Sequence, residues 1–341
     1  MKLVTFKRDD RERLGVYVDP QKKIVDLQAA HLALNGSKSP DLASMLALIE
    51  SGAAGQKLAA ELSDWVLKAD ASAAQVPYRT ADLLAPLPVP QQIRDCLSFE
   101  RHFAQARAQA LRARALTYPD PAAAEEELRR SDEFRIPPVW YEQPVYYKGN
   151  RFSVIGPEQD IVWPSYSQFL DYELEYGVVI GRKGKNISVP NAREYVFGYC
   201  IFNDMSARDA QYKEFPARLG PAKGKDFDTG NVLGPWLVTT DELTDPYALT
   251  MVARVNGEEW SRGYSGDIHH SFERMIEHIS RDETIFPGEF IGSGTVDNGC
   301  GLELGRRLKL GDVIELEVDG LGCLRNRVVR NATAAAERSS S

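Results

Sequence analysis

Residues 170–180 read Leu-Asp-Tyr-Glu-Leu-Glu-Tyr-Gly-Val-Val-Ile, so three acidic residues alternate with apolar ones. Strict alternation predicts a half-buried strand, in which residues two apart share a face. Asp171, Glu173 and Glu175 then point one way, and Tyr172, Leu174 and Tyr176 the other. Carboxylates gathered on one inward face repel each other unless a cation sits among them. Donors that are all oxygen select a hard ion such as Mg²⁺, Mn²⁺ or Ca²⁺. The same alternation also suits a solvated edge face with no ion, and this stretch by itself leaves both readings open.

The other residue types able to do chemistry are sparse. Cys96, Cys200, Cys300 and Cys323 lie far apart without a CxxC spacing, which argues against a zinc knuckle or a secreted disulfide framework. They read as free buried thiols in a reducing, cytoplasmic compartment. Of the five histidines, His269, His270 and His278 fall near a helix and His31 lies near the N-terminus. His102 differs, because it follows Asp95 closely and precedes an Ala/Arg-rich helical stretch.

The elements that must position these groups can be read from the pattern. Residues 1–28 predict short strands, 28–67 helices, and the proline-rich run 83–90 a boundary. The expected organisation is a small N-terminal domain over 1–88 and a main domain over 89–330. A helical insertion is expected at about 103–133, with helices over 103–116 and 122–132 split by Tyr118-Pro119-Asp120-Pro121, and a disordered tail over 331–341. Further strands are expected at 195–202, 236–240 and 249–257, the last ending in an Asn256-Gly257 turn. A helix is expected over 272–279, and a hairpin from 312–318 and 321–329. The class is α+β with a β-rich core.

The 341 residues suffice for a full core, and 43% apolar and 26% charged content is ordinary for a globular protein. A net charge of −8 disfavours nonspecific nucleic-acid binding. No apolar run is long enough to suggest a membrane span, and the N-terminus is charged too early for a signal peptide.

Several stretches together resemble the fumarylacetoacetate hydrolase family. They are Asp171-Tyr172-Glu173-Leu174-Glu175, Asn203-Asp204-Met205-Ser206-Ala207-Arg208-Asp209-Ala210-Gln211, and Gly292-Ser293-Gly294-Thr295 with Lys309 to Val328 beyond it. The resemblance runs from about residue 93 to residue 330. It implies a mixed β-sandwich or roll catalytic domain behind a small N-terminal β-rich domain. It also implies a divalent cation, Mg²⁺ or else Mn²⁺ or Ca²⁺, held by Asp95, Glu173, Glu175 and Asp204, with Asp171 in support. His102 is implied as the general base and Glu303 as its carboxylate partner, which would fix the ring tautomer and raise its basicity. Gln105 stands three residues after His102, where some members carry a glutamate.

By the same resemblance, Arg208, Gln211 and Lys225 would stabilise an oxyanion, and Lys225 and Thr229 match positions near the metal and the substrate. Tyr147, Lys148 and Thr295 fall at substrate-proximal positions. The implied reaction is hydrolysis of a carbon–carbon bond in a ketonic small molecule, a β-diketone or acylpyruvate-like compound. Two-oxo acid decarboxylases, isomerases and dehydratases belong to the same family. Leu97 replaces a tyrosine, and the long Ala/Arg helix replaces an arginine-bearing segment, so the expected pocket is more apolar than one built for fumarylacetoacetate. A homodimer is expected by analogy.

Overall fold

The computed structural model describes residues 1–19, 21–78 and 83–330. The tail expected to be disordered, 331–341, lies outside the described residues. Two β-sheets form the frame. The larger runs, neighbour to neighbour, through Gln75–Pro77, Lys23–Asp26, Arg11–Val18, Lys2–Arg8, Asn231–Thr239, Val196–Asp204, Leu174–Ile180, Glu289–Gly292, Gln92–Cys96 and Tyr146–Gly149, with Val154–Ile155 also on Asn231–Thr239. Pairing in this sheet is mostly antiparallel, but Glu289–Gly292 runs parallel to Gln92–Cys96 and sets Gly292 opposite Asp95. The smaller sheet orders Glu258–Tyr264, Thr250–Val255, Val313–Val318, Gly322–Arg330 and Ile161–Trp163. The α+β, β-rich reading of the sequence is thus the observed class.

The strand parity sorts the side chains into two cores. Tyr176, Val178, Tyr199 and Ile201 face the smaller sheet and pack with Met251, Leu316 and Leu324. Val179, Cys200, Phe202 and Phe290 face the other way, onto Leu48, Leu62 and Val66 from the helices Met45–Glu50 and Gly52–Lys68. A bulge where Val179 pairs with Gly198 but Ile180 with Val196 brings Phe197 onto this second face. The strands of residues 1–88 extend the large sheet through the pairing of Leu3 with Leu237, and their helices cover one of its faces.

Two expectations about the acidic stretch need correction. It is buried on both faces, not half-buried, because the second core covers the side left to solvent in a simple alternating strand. It is also broken, into Leu170–Asp171 and Leu174–Ile180, with Glu173 making an isolated bridge to Cys300. The strand Glu258–Tyr264 lacks apolar alternation and was not expected; it pairs across the anticipated turn, where Asn256 (φ 53°) and Gly257 (φ 81°) both adopt the left-handed conformation. The two helices expected in this stretch are Glu100–Ala115 and Pro121–Arg130, the second opened by Asp120 accepting from the Ala123 N–H at 3.1 Å. None of the helices among the described residues is long and apolar enough to cross a membrane.

Candidate active site

Three strands, two adjacent and the third one place further on beyond Glu289–Gly292, deliver carboxylates to one end of the large sheet. Asp95 comes from Gln92–Cys96, Glu175 from Leu174–Ile180, and Asp204 closes Val196–Asp204. One oxygen from each lies within 4.8 Å of the other two, and all three side chains are buried. The loop after Glu289–Gly292 braces them. The Gly294 N–H donates to Asp95 Oδ1 at 3.3 Å, and Thr295 Oγ1 donates to Glu175 Oε1 at 3.1 Å. Tyr147 OH donates to Asp204 Oδ2 at 2.8 Å. Gly292 has to be small here, because a Cβ would stand 2.4 Å from Asp95 Oδ1.

Burial and mutual repulsion dominate the electrostatics of this triad. Burial pushes Asp204 up to about 6, with Lys225 opposing. Burial first, then the neighbouring carboxylates, holds Asp95 and Glu175 well above the usual carboxylate range. Glu175 Oε2 and Asp204 Oδ1 are buried without any hydrogen-bond partner. Orphaned carboxylate oxygens in an all-oxygen cluster are what a hard divalent cation satisfies, so the residues fit such an ion.

Glu173 belongs to a different set of contacts. Its Oε2 meets Lys225 Nζ at 2.5 Å and its Oε1 meets an Arg208 Nη at 2.8 Å. Burial raises its pKa, but the two cations outweigh that and hold it below the usual range. Glu173, expected as a fourth ligand, therefore stands outside the triad with both oxygens already on cations. Lys225 bridges the two groups, because its ammonium also contacts the Asp204 carboxylate and donates to Ser206 Oγ at 2.7 Å. Arg208 donates to Asp171 Oδ2 through Nε at 3.0 Å and through an Nη at 2.8 Å, and to Gln211 Oε1 at 3.2 Å. Asp171 also accepts the backbone N–H groups of Gly301 and Leu302 at 2.9 and 3.0 Å. It is a support, as expected.

Those two amides open the short helix Gly301–Leu304, which carries Glu303. Glu303 is fixed by the N–H groups of Asn298 and Cys300, each at 3.0 Å, and by the Cys300 thiol at 3.2 Å. His102 sits in the first turn of Glu100–Ala115, with its backbone N–H donating to Asp297 Oδ1 at 3.0 Å. Its Nδ1 lies 3.1 Å from Glu303 Oε2, a charge contact without the alignment of a full hydrogen bond. Burial pushes the imidazole pKa down, but the Glu303 charge outweighs it and the value ends above the ordinary one. Glu173 contributes in the same direction and so links the dyad electrostatically to the carboxylate end of the site.

The sequence-predicted residues thus converge, with exceptions. Lys148 is next to Tyr147 on a strand and points to the opposite face, exposed, with its Nζ 3.7 Å from Glu283. Thr229 Oγ1 accepts from the Val162 N–H at 2.9 Å and ties the loop to the smaller sheet. Gln105 donates to Asn298 Oδ1 at 3.0 Å, on the loop before Glu303. Three participants were not expected: Ser206 under Lys225, Gly294 beside Asp95, and Cys300 against Glu303. Ser206 and Gly294 both lie inside motifs that carry the family resemblance, although the contact of Gly294 with Asp95 joins segments far apart in sequence. Cys300 stands only three residues before Glu303, as the cap of its short helix, and that local geometry is what turns the thiol onto the carboxylate.

Among characterised proteins, the human mitochondrial oxaloacetate tautomerase FAHD2A is 37% identical over 191 residues, which is 55% of this chain and 59% of that protein. The chain therefore spans less than two thirds of the length of the curated relatives it matches. Among solved structures, the fumarylacetoacetate hydrolase of psychrophilic Exiguobacterium antarcticum superposes with a TM-score of 0.70 at 25% identity, over 97% of this chain and 100% of that one. Maleylpyruvate hydrolase from Sphingobium sp. SYK-6, solved with manganese(II) ion and pyruvate, shares the fold with a TM-score of 0.66 at 23% identity, over 97% of this chain and 100% of that one. The family model for the C-terminal part of fumarylacetoacetate (FAA) hydrolase matches residues 116–329, beginning after Asp95 and His102 and taking in every other carboxylate of the site. With the sheet that assembles the triad and this match over more than half its length, the chain belongs to the fumarylacetoacetate hydrolase family.

Proposed function

We propose that this chain is a divalent-metal-dependent hydrolase that cleaves a carbon–carbon bond in a β-diketone or acylpyruvate-like compound. Asp95, Glu175 and Asp204 would hold the cation, Mg²⁺ or Mn²⁺, and Glu173 would stay paired with Lys225 and Arg208. When bound, such an ion neutralises the triad and polarises the two oxygens of a 1,3-dicarbonyl.

The chain's own residues supply the rest. Glu303 is pinned by two backbone amides and presents a carboxylate to His102 Nδ1, which leaves Nε2 of the ring to take a proton from water. Hydroxide adds to one carbonyl carbon. Positive charge from Arg208 and Lys225 lies beside the developing oxyanion. Gln211 accepts from Arg208 through Oε1, so its amide N–H groups stay available to an oxygen of the substrate. The carbon–carbon bond breaks, the electron pair leaves on the departing carbon as an enolate, and the proton held by His102 returns to that carbon. Tyr147 and Thr295, each already bonded to a carboxylate of the triad, would orient the substrate. Lys148 would act from the outer face only, on the Glu283 side.

The observation that carries this reading is the buried His102–Glu303 contact at 3.1 Å, close enough to the acidic cluster for Glu173 to act on the imidazole. One panel tests it: acylpyruvates and linear or cyclic β-diketones with Mg²⁺ or Mn²⁺, followed by loss of the diketone ultraviolet absorbance. Cleavage that His102→Ala abolishes supports hydrolysis. Full turnover by His102→Ala removes the hydrolytic mechanism. The similarity to an oxaloacetate tautomerase favours a second reading, proton transfer on a 2-oxo acid without bond cleavage. Enol-oxaloacetate in the same panel decides between them. We also propose that two copies associate; Phe152 and Leu219 are apolar and 74% and 95% exposed, and light scattering at twice the chain mass is the check.

A further inference from the structure

The Cys300 thiol has no part in the mechanism above, which uses only the backbone N–H of this residue, yet the side chain is fully buried against the dyad. The Cys300 thiol lies 3.2 Å from Glu303 Oε2, the same oxygen that His102 Nδ1 approaches to 3.1 Å. One ligand atom each from His102, Cys300 and Glu303 falls within 4.8 Å of the other two. The His102 side chain is only 6% exposed, and its Nδ1 has no properly aligned hydrogen-bond partner although it faces this cluster. A buried donor atom aimed at a thiol and a carboxylate, with its own bond unmade, is a group prepared for another partner.

The donor chemistry says which partner. Imidazole nitrogen, thiolate sulfur and carboxylate oxygen together are a donor set for a borderline-soft cation of the zinc type, with a fourth position open. They are a poor set for Mg²⁺, which the all-oxygen triad suits. We propose that His102, Cys300 and Glu303 form a second, soft-metal site next to the hard one, and that filling it switches the general base off. Binding would form a metal–sulfur bond and release the thiol proton to solvent. His102 and Glu303 are both consumed as ligands, so no base remains to activate water. The switch rests on the hydrolase reading, whereas the site itself does not. It follows that the protein would tolerate Mg²⁺ at millimolar levels and lose activity to traces of Zn²⁺.

Co²⁺ is the probe, added to the full-length protein in excess Mg²⁺. The expected result is a thiolate-to-cobalt charge-transfer absorbance in the near ultraviolet that saturates at one ion per chain. Cys300→Ser and Cys300→Ala should both abolish it, whereas Cys96→Ser, next to the hard triad, should retain it. Loss of the thiolate ligand should weaken cobalt binding about 100-fold or more. No absorbance in the parent protein, or absorbance that survives both Cys300 variants, overturns the site. The switch is read as the ratio of turnover with and without Zn²⁺ within each variant, which should move at least about tenfold toward resistance in Cys300→Ser. An active enzyme that binds cobalt through Cys300 but ignores Zn²⁺ overturns the switch. If the absorbance appears and no β-dicarbonyl is turned over, the hydrolase reading falls, the switch falls with it, and the metal site stands.

Discussion

His102 shows how a single residue's surroundings set its chemistry. Burial favours the neutral ring, and the Glu303 carboxylate favours the imidazolium; the carboxylate prevails. A base must be neutral to accept a proton, so turnover should rise with pH through the raised pKa of His102 and level off above it. Glu303→Gln keeps the shape and removes the charge, which leaves burial as the dominant influence. Its rising limb should move to lower pH while the plateau falls, within the roughly 10²–10⁴-fold range of a general base; a pH–rate profile of both proteins measures this. A limb that does not move would mean that Glu303 does not act on His102. Much of this was legible in the sequence, because Asp95, His102 and Glu303 stand at positions implied by a family resemblance. Lys148 was not, since its neighbour Tyr147 occupies the inward face and strand parity forces Lys148 outward. Cys300 was read as an ordinary buried thiol, because its closeness to His102 exists only after residues 102 and 300 have been folded together.

Asp171 governs the arrangement at the scale of elements. It looked like one of three equivalent carboxylates in an alternating strand, but the strand breaks after it and the residue serves as a hub. It holds Arg208 at the start of the helix Arg208–Glu214 and caps the amides that open Gly301–Leu304. One carboxylate thus positions both the proposed oxyanion residue and, through three residues of helix, the partner of the base. The break in the strand is invisible to alternation, which continues unbroken in the sequence; only the bridge of Glu173 to Cys300 reveals what interrupts the ladder. Asp171→Ala should leave Arg208 short of a buried partner and two amides uncapped, at a cost of about 3–5 kcal/mol of stability. Urea denaturation should show the loss, and Asp171→Asn, which still offers an acceptor, should lose less. An Ala variant within about 0.5 kcal/mol of the parent would contradict the hub role.

Across the whole molecule, the large sheet collects acidic groups that repel one another. Asp95, Glu175 and Asp204 come from strands far apart in sequence, and the fold brings them together in a buried space where two of their oxygens have no partner. The sequence could supply the residue types, while the parallel pairing of Glu289–Gly292 with Gln92–Cys96 that places Asp95 in the triad is a product of topology. Such a cluster opposes folding unless a cation binds the folded state alone, so stability and metal occupancy should be linked. Addition of Mg²⁺ or Mn²⁺ should raise the melting temperature, with about 2.7 kcal/mol gained at a hundred times the dissociation constant, and a chelator should reverse it. Glu175→Gln separates this from ordinary structural stabilisation. Glu175 accepts one bond, from Thr295, and otherwise faces the carboxylates of Asp95 and Asp204. Without metal, the neutral amide relieves that repulsion, so the variant should melt at or above the temperature of the parent. With metal, it has lost a ligand, so the increment should shrink or vanish along with turnover. That pairing, a metal-free protein no less stable and a metal response abolished, is the signature of a residue kept for its ligand chemistry at the expense of stability. A Glu175→Gln protein that is destabilised without metal yet keeps the full metal increment would place Glu175 in the structural frame instead.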